Sequence, residues 1–149
     1  MTVRKPRIEY EFLMQSAVFT WARMPSNIMK YPGLELLEGT LNGVRLTQSQ
    51  AGKAKAAGML KGVHDVRVPV ARGGFIGLSI ELKCGKNNPT DEQLDYGEAL
   101  EREGWKVMYV WDDWITVKNE IVSYLSKPAI LPADSGSKTA PAVLKGGTI

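Results

Sequence analysis

The stretch that most constrains this chain runs from Gly62 to Lys83. It holds a Gly-Val-His-Asp turn ending at Asp65, a strand, the turn Arg72-Gly73-Gly74, a second strand, and Glu81-Leu82-Lys83. Alternate side chains of a strand share a face, so Glu81 and Lys83 are expected to point one way and Ile80 and Leu82 the other, into the core. A hairpin turning at Arg72-Gly73-Gly74 pairs residues whose numbers add to about 146, which sets Asp65 opposite Glu81. Opposed side chains lie roughly 5 Å apart at Cβ. Two carboxylates and a lysine therefore converge on one spot. Like charges that close are unfavourable unless a proton or cation separates them, and Mg²⁺ takes one or two carboxylates with phosphate and water. The pattern reads as a metal-dependent phosphodiester site.

The charge distribution points the same way. The net charge is only +3, but between Leu41 and Lys86 lie Arg45, Lys53, Lys55, Lys61, Arg67, Arg72, Lys83 and Lys86, against Asp65 and Glu81 as the sole acids. A basic field around two isolated carboxylates suits a polyanion whose backbone is brought to a metal, although basic runs are more often a solvated surface. One cysteine, Cys84, excludes an intramolecular disulfide and a cysteine zinc cluster, and one histidine, His64, excludes a histidine-rich metal site. No run is long enough to span a membrane, and no apolar signal core follows the basic N-terminus. A reducing cytoplasm is the expected compartment.

At this length one domain with a real core is expected. Ile8 to Met24 reads as a helix stopped by Pro25, with Glu11 and Gln15 on one face. Tyr31-Pro-Gly and Leu41-Asn-Gly bracket a turn or a brief strand, and Gln48 to Met59 a short helix solvated on its lysine side. Strands are expected over Val66–Val70 and Phe75–Leu82, the first an edge or bulged at Pro69. Thr90 caps a helix to about Glu103, Trp105–Trp111 alternates as a strand, and Asp113 caps a last helix over Trp114–Leu125. Residues 126–149, rich in Pro, Ala, Gly, Ser and Lys, form a tail rather than a domain. The order predicts an α/β fold with a small mixed sheet between helices.

These pieces resemble the PD-(D/E)xK restriction-endonuclease-like core, and within it the VRR-NUC branch of small stand-alone phage and bacterial nucleases. The residues carrying the likeness are Glu11 with Gln15, Leu41-Asn-Gly, Lys61-Gly-Val-His-Asp65, Ile80-Glu-Leu-Lys83, Thr90-Asp-Glu-Gln93 and Glu103-Gly-Trp-Lys-Val. They span residues 11–125, which marks residues 1–125 as the nuclease domain. The family usually has proline where His64 stands. His64 is therefore either a turn histidine without chemistry or one reaching the metal or a phosphate.

The resemblance implies a DNA endonuclease using Mg²⁺ or Mn²⁺. Asp65, Glu81 and the Leu82 carbonyl are the metal ligands it implies, with Glu11 supporting the metal, directly or through its waters. Lys83 orients or deprotonates the water, or neutralises charge at the phosphate. Gln93 acts in the site, or caps its own helix by reaching back to the Thr90 amide. Gln15 is a hydrogen-bonding support or lies on a solvated helix face. Arg45, Lys53, Lys55 and Lys61 are the expected phosphate contacts. Trp105, Tyr109, Trp111 and Trp114 fit core or subunit contacts better than base stacking. Stand-alone members of the family act as homodimers on branched DNA such as Holliday junctions or flaps, in a bacterial or phage-infected cell. The competing readings are restriction-like sequence-specific targeting and a catalytically silent DNA-binding protein.

Overall fold

Val66 pairs with Ile80, Arg67 with Ser79 and Val68 with Leu78, all antiparallel. The strands therefore have the expected register, although the turn itself closes one residue off it, with Arg72 bridging Phe75. The protein is described here by a computed structural model, which covers residues 7–41 and 45–129. In chain order it contains α1 (Arg7–Ala22), α2 (Pro25–Lys30), a 3₁₀ turn (Leu34–Leu36), β1 (Glu38–Gly39) and α3 (Gln48–Ala56). Then follow β2 (Val66–Val68), β3 (Leu78–Lys83), α4 (Asp91–Arg102), β4 (Lys106–Trp111) and α5 (Trp114–Leu125).

The four strands form one mixed sheet in the order β1-β2-β3-β4, antiparallel except for the parallel pair β3–β4 that α4 connects. Leu78, Ile80 and Leu82 enter a core with Val18 and Ala22 of α1 and Val117, Ile121, Tyr124 and Leu125 of α5. Each such side chain contributes about 1.5–3 kcal/mol by leaving water. The opposite face of β3 is buried as well: Glu81 is 1% exposed and Lys83 3%. Simple in-and-out alternation fails on this strand because α4 and the residues around His64 cover its second face, as is usual for an interior strand.

Other departures have local causes. β2 is not an edge, since β1 pairs along it, but the expected bulge is present beyond its end. Val68 pairs with Leu78 and Arg72 bridges Phe75, so residues 69–71 face 76–77 with one extra residue on the Pro69 side. Pro25 ends the α1 pattern but also opens α2, since proline in a first turn gives up no helical bond. Trp105 lies before β4, its ring where a Cβ on Gly77 would stand. The segment after Tyr31 resolves into both a turn and a brief strand. α5 ends at Leu125 as expected, and the next few residues stay attached, the Gly73 amide donating to the Pro128 carbonyl at 2.9 Å. Residues 130–149, most of the expected tail, lie outside the described residues.

Candidate active site at the β2–β3 edge

Asp65 immediately precedes β2 and is held at both its backbone and its side chain. Its carbonyl accepts from the Thr40 amide at 3.0 Å. Gln15, from α1, donates Nε2 to the Thr40 carbonyl at 2.9 Å. Gln15 thus braces the backbone beside Asp65 rather than lying on a solvated face. Asp65 Oδ2 accepts from the Leu82 amide at 2.9 Å, which ties the carboxylate to β3.

Glu81 occupies the centre. Its Oε1 faces Lys83 Nζ at 3.1 Å and accepts from Gln93 Nε2 at 2.6 Å. Its Oε2 is buried with no hydrogen-bond partner among the described residues. Burial, helped by the Asp65 charge and opposed by Lys83, pushes the Glu81 carboxyl up to about 8. Burial also raises Asp65, to about 6, with the Leu82 amide pulling against it and the Glu11 charge adding to it. The two acids are thus the expensive charges, Glu81 partly because of Asp65 and Asp65 partly because of Glu11.

Gln93 both caps its own helix and bonds Glu81. Its Oε1 accepts from the Thr90 amide at 2.9 Å while Thr90 Oγ1 accepts from the Gln93 amide at 3.2 Å, which completes a capping box on α4. With the amide oxygen committed there, the NH₂ end is left for Glu81. The cap fixes the orientation of the amide, and the amide fixes the Glu81 rotamer.

His64 is fully buried, with both ring nitrogens hydrogen-bonded inside the protein. One ring nitrogen lies 2.8 Å from Ser79 Oγ and the other 2.9 Å from the Gln93 carbonyl. A carbonyl only accepts, so Nε2 carries the proton and Nδ1 accepts from Ser79. Burial lowers its pKa and keeps the ring neutral. The tyrosine rings of Tyr96 and Tyr109 meet it edge-on at 5.0 and 5.4 Å. His64 therefore pins the backbone of Gln93 to β3. Only its position before Asp65 hinted at this from the sequence.

Glu11 reaches the same region from α1: Asn87 Nδ2 donates to its Oε1 at 3.0 Å, and Cys84 Sγ lies 4.0 Å away. Asn87 was not singled out by the sequence. It is held in turn by Trp111, whose Nε1 donates to the Asn87 carbonyl at 3.0 Å. The expected phosphate contacts Arg45, Lys53, Lys55 and Lys61 are all exposed, and Lys61 is also ion-paired with Glu92 at 2.8 Å. That pair sits where Gly62, at φ +91°, lies against the Glu92 backbone so closely that a Cβ would collide.

No family model matches the sequence, and no curated protein matches it. A solved structure described as "VRR_NUC domain protein" superposes with a TM-score of 0.59 at 24% identity, covering 78% of this chain and 90% of that one. The chain has the VRR-NUC fold.

Among the described residues of this VRR-NUC fold, no three His, Cys, Asp or Glu side chains close round one point. A divalent cation with one or two carboxylates does not require three. Its fit is supported by Glu81 Oε2, a buried oxygen without a partner, beside a second carboxylate that burial also disfavours. The Lys83 carbonyl accepts from Asp112 on the β4 side at 3.0 Å, so the Leu82 carbonyl, one residue earlier, turns to the Asp65 side. Asp65, Glu81 and that carbonyl would supply oxygen donors of the kind Mg²⁺ or Mn²⁺ takes.

A pH signature follows. Both acids have folded pKa values above their ordinary ones, so the folded chain keeps protons that the unfolded chain releases. Metal-free stability must then fall as pH rises from the usual carboxylate range through about 8. Calorimetry without metal should show a melting temperature lower by several degrees at about pH 8 than at about pH 5.5, and Mg²⁺ or Mn²⁺ should restore most at the higher pH. Metal that stabilises equally at both values would argue against these carboxylates as its ligands.

Proposed function

We propose that this protein is a metal-dependent DNA endonuclease selective for branched DNA. The observation that carries the reading is the buried Asp65–Glu81–Lys83 cluster, with a partnerless carboxylate oxygen at its centre. The VRR-NUC neighbour and the acid-free basic segment before Asp65 support it. Asp65 and Glu81 hold the cation, with Glu11 acting through its waters. A bound Mg²⁺ or Mn²⁺ supplies Lewis-acid stabilisation of phosphate charge and a more acidic water. Gln93 keeps Glu81 in one rotamer, Gln15 keeps the Asp65 backbone in place, and Lys83 meets the nucleophile or the phosphate from the same face. Such pre-set side chains save the reorganisation that a looser site would need during reaction.

A homodimer belongs to the proposal, because two sites related by a two-fold axis match the two strands of a four-way junction. Phe19, Trp21 and Tyr31 pack on the protein's own core, which leaves Phe12, with Tyr10 and Leu13, as exposed apolar material on α1. The test is a cleavage panel of duplex, nicked, flap and four-way junction DNA with Mg²⁺, Mn²⁺ or EDTA, alongside light scattering. The expected result is metal-dependent paired nicking of the junction by a dimer. Cleavage that survives EDTA, or none on any substrate, would overturn the reading; a monomer mass would remove paired incision alone.

A further inference from the structure

Among the described residues, helix α3 owes little to the core. None of its residues is buried, and only Ala54 is even half-covered. Its sequence, Gln48-Ser-Gln-Ala-Gly-Lys-Ala-Lys-Ala56, offers no apolar stripe to lay on a neighbour. A helix this short is marginal in water without tertiary support. The capping box helps: Thr47 Oγ1 accepts from Gln50 at 3.2 Å, and Gln50 Oε1 accepts from Thr47 at 2.9 Å. It offsets only part of the deficit, and Gly52 in the helix interior works against it.

The position of α3 is more telling than its exposure. It lies in the connection between neighbouring antiparallel strands, β1 and β2, whose last pair is Gly39 with Val66. Beyond that pair the Thr40 amide bonds the Asp65 carbonyl, which closes the base of the connection at the candidate active site. A hairpin turn would have joined these strands in a few residues. The chain instead sends out a helical excursion and brings it back to Asp65. From Thr40 to His64 this excursion contains no acid, and its bases include Arg45, Lys53 and Lys55, all exposed. Lys61 is exposed as well and shares its charge with Glu92 of α4 in a surface ion pair.

We infer that α3 is a nucleic-acid-gripping arm, whose tertiary partner is the phosphate backbone of duplex DNA lying beyond the cleavage point. The assignment rests on the endonuclease reading for the presence of DNA at Asp65. Its own content is the division of labour: affinity from an arm that contributes little to the fold, chemistry from side chains buried beneath it. Charge complementarity selects the occupant. An acid-free surface of lysines, glutamines and small residues suits phosphates and groove edges, and lacks the apolar anchors that a second copy of the chain would need.

The experiment uses the full chain and a fluorescein-labelled duplex in EDTA, so that binding is read without cleavage. In hydrogen exchange, α3 amides should exchange freely in the protein alone and become protected when the duplex is saturating. By anisotropy, the double variant Lys53→Ala/Lys55→Ala should bind at least about tenfold more weakly, and its salt slope should fall by about 2. A second variant with Gln48–Ala56 replaced by a Gly-Ser linker should melt within about 2 °C of the wild type, since the helix carries no core residue. Three results would each overturn the inference: α3 amides unaffected by DNA, protection that follows protein concentration instead, or an unchanged salt slope. Failure of the wild type to cleave would remove the endonuclease reading and leave these binding readouts standing.

Discussion

Asp65→Asn and Glu81→Gln are each expected to lower cleavage by about 10³-fold or more while leaving the fold and DNA binding intact. The proposed cation stabilises the transition state by several kcal/mol, and each ~1.4 kcal/mol is a factor of ten in rate. An amide ligates a divalent cation far less well than a carboxylate, so most of that stabilisation goes. The fold has no reason to suffer. Burial already raises both carboxyl groups, so the metal-free site holds protons there, and an amide replaces a protonated carboxyl without adding a charge beside Lys83. An asparagine at position 65 still offers an oxygen to the Leu82 amide, and a glutamine at 81 still offers one to Gln93. Metal-free Glu81→Gln should therefore melt no lower than the wild type at neutral pH. DNA binding should hold or tighten, because a negative charge has left a basic field. Near-wild-type cleavage by either variant would end the site assignment; a collapsed melting temperature would show that the carboxylates serve the fold.

The parts of this arrangement that were legible in the sequence are those fixed by short-range geometry. The glycines at 73 and 74 place the turn to within one residue, the extra residue beside Pro69 absorbs the difference, and the pairing of Val66 with Ile80 carries Asp65 to Glu81. Hidden parts depended on what covers each element. Nothing in the alternation of β3 announces that α4 and the His64 cluster bury its polar face. Gln93 looked like a choice between two roles because a residue letter does not show that the two ends of one amide are used separately. His64 needed Ser79 and the Gln93 carbonyl, each distant in sequence, before its role had content. α2 and β1 are too short to show a period of either kind. Asn87 sits in the loop after β3, where polar residues are ordinary, and only its bond to Glu11 distinguishes it.

Lys83→Ala should reduce the cleavage rate by about 10²–10⁴-fold, the range for losing a positioned proton-transfer group, with a much smaller change in metal affinity. The ammonium shares a face with Glu81 at 3.1 Å and is almost wholly shielded from water, so its charge acts at short range with little screening. Removing one member of a buried ion pair ordinarily destabilises by about 3–5 kcal/mol, because the partner is left charged and alone. Here Glu81 has an escape, since its raised pKa lets it take up a proton, and Lys83→Met, which keeps the bulk of the stem, guards against a cavity. If Lys83 acts by charge alone, Lys83→Arg should recover much of the rate. If it acts as a compact donor or acceptor in a confined space, the planar guanidinium cannot replace it, and arginine should be as poor as methionine. The second outcome is expected, because the site leaves Lys83 only a few per cent exposed and places Gln93 on the same Glu81 oxygen. Single-turnover rates at saturating metal separate the cases. A variant that loses metal binding in proportion to rate, and regains full rate when metal is raised, would make Lys83 a structural counter-charge with no part in the chemical step.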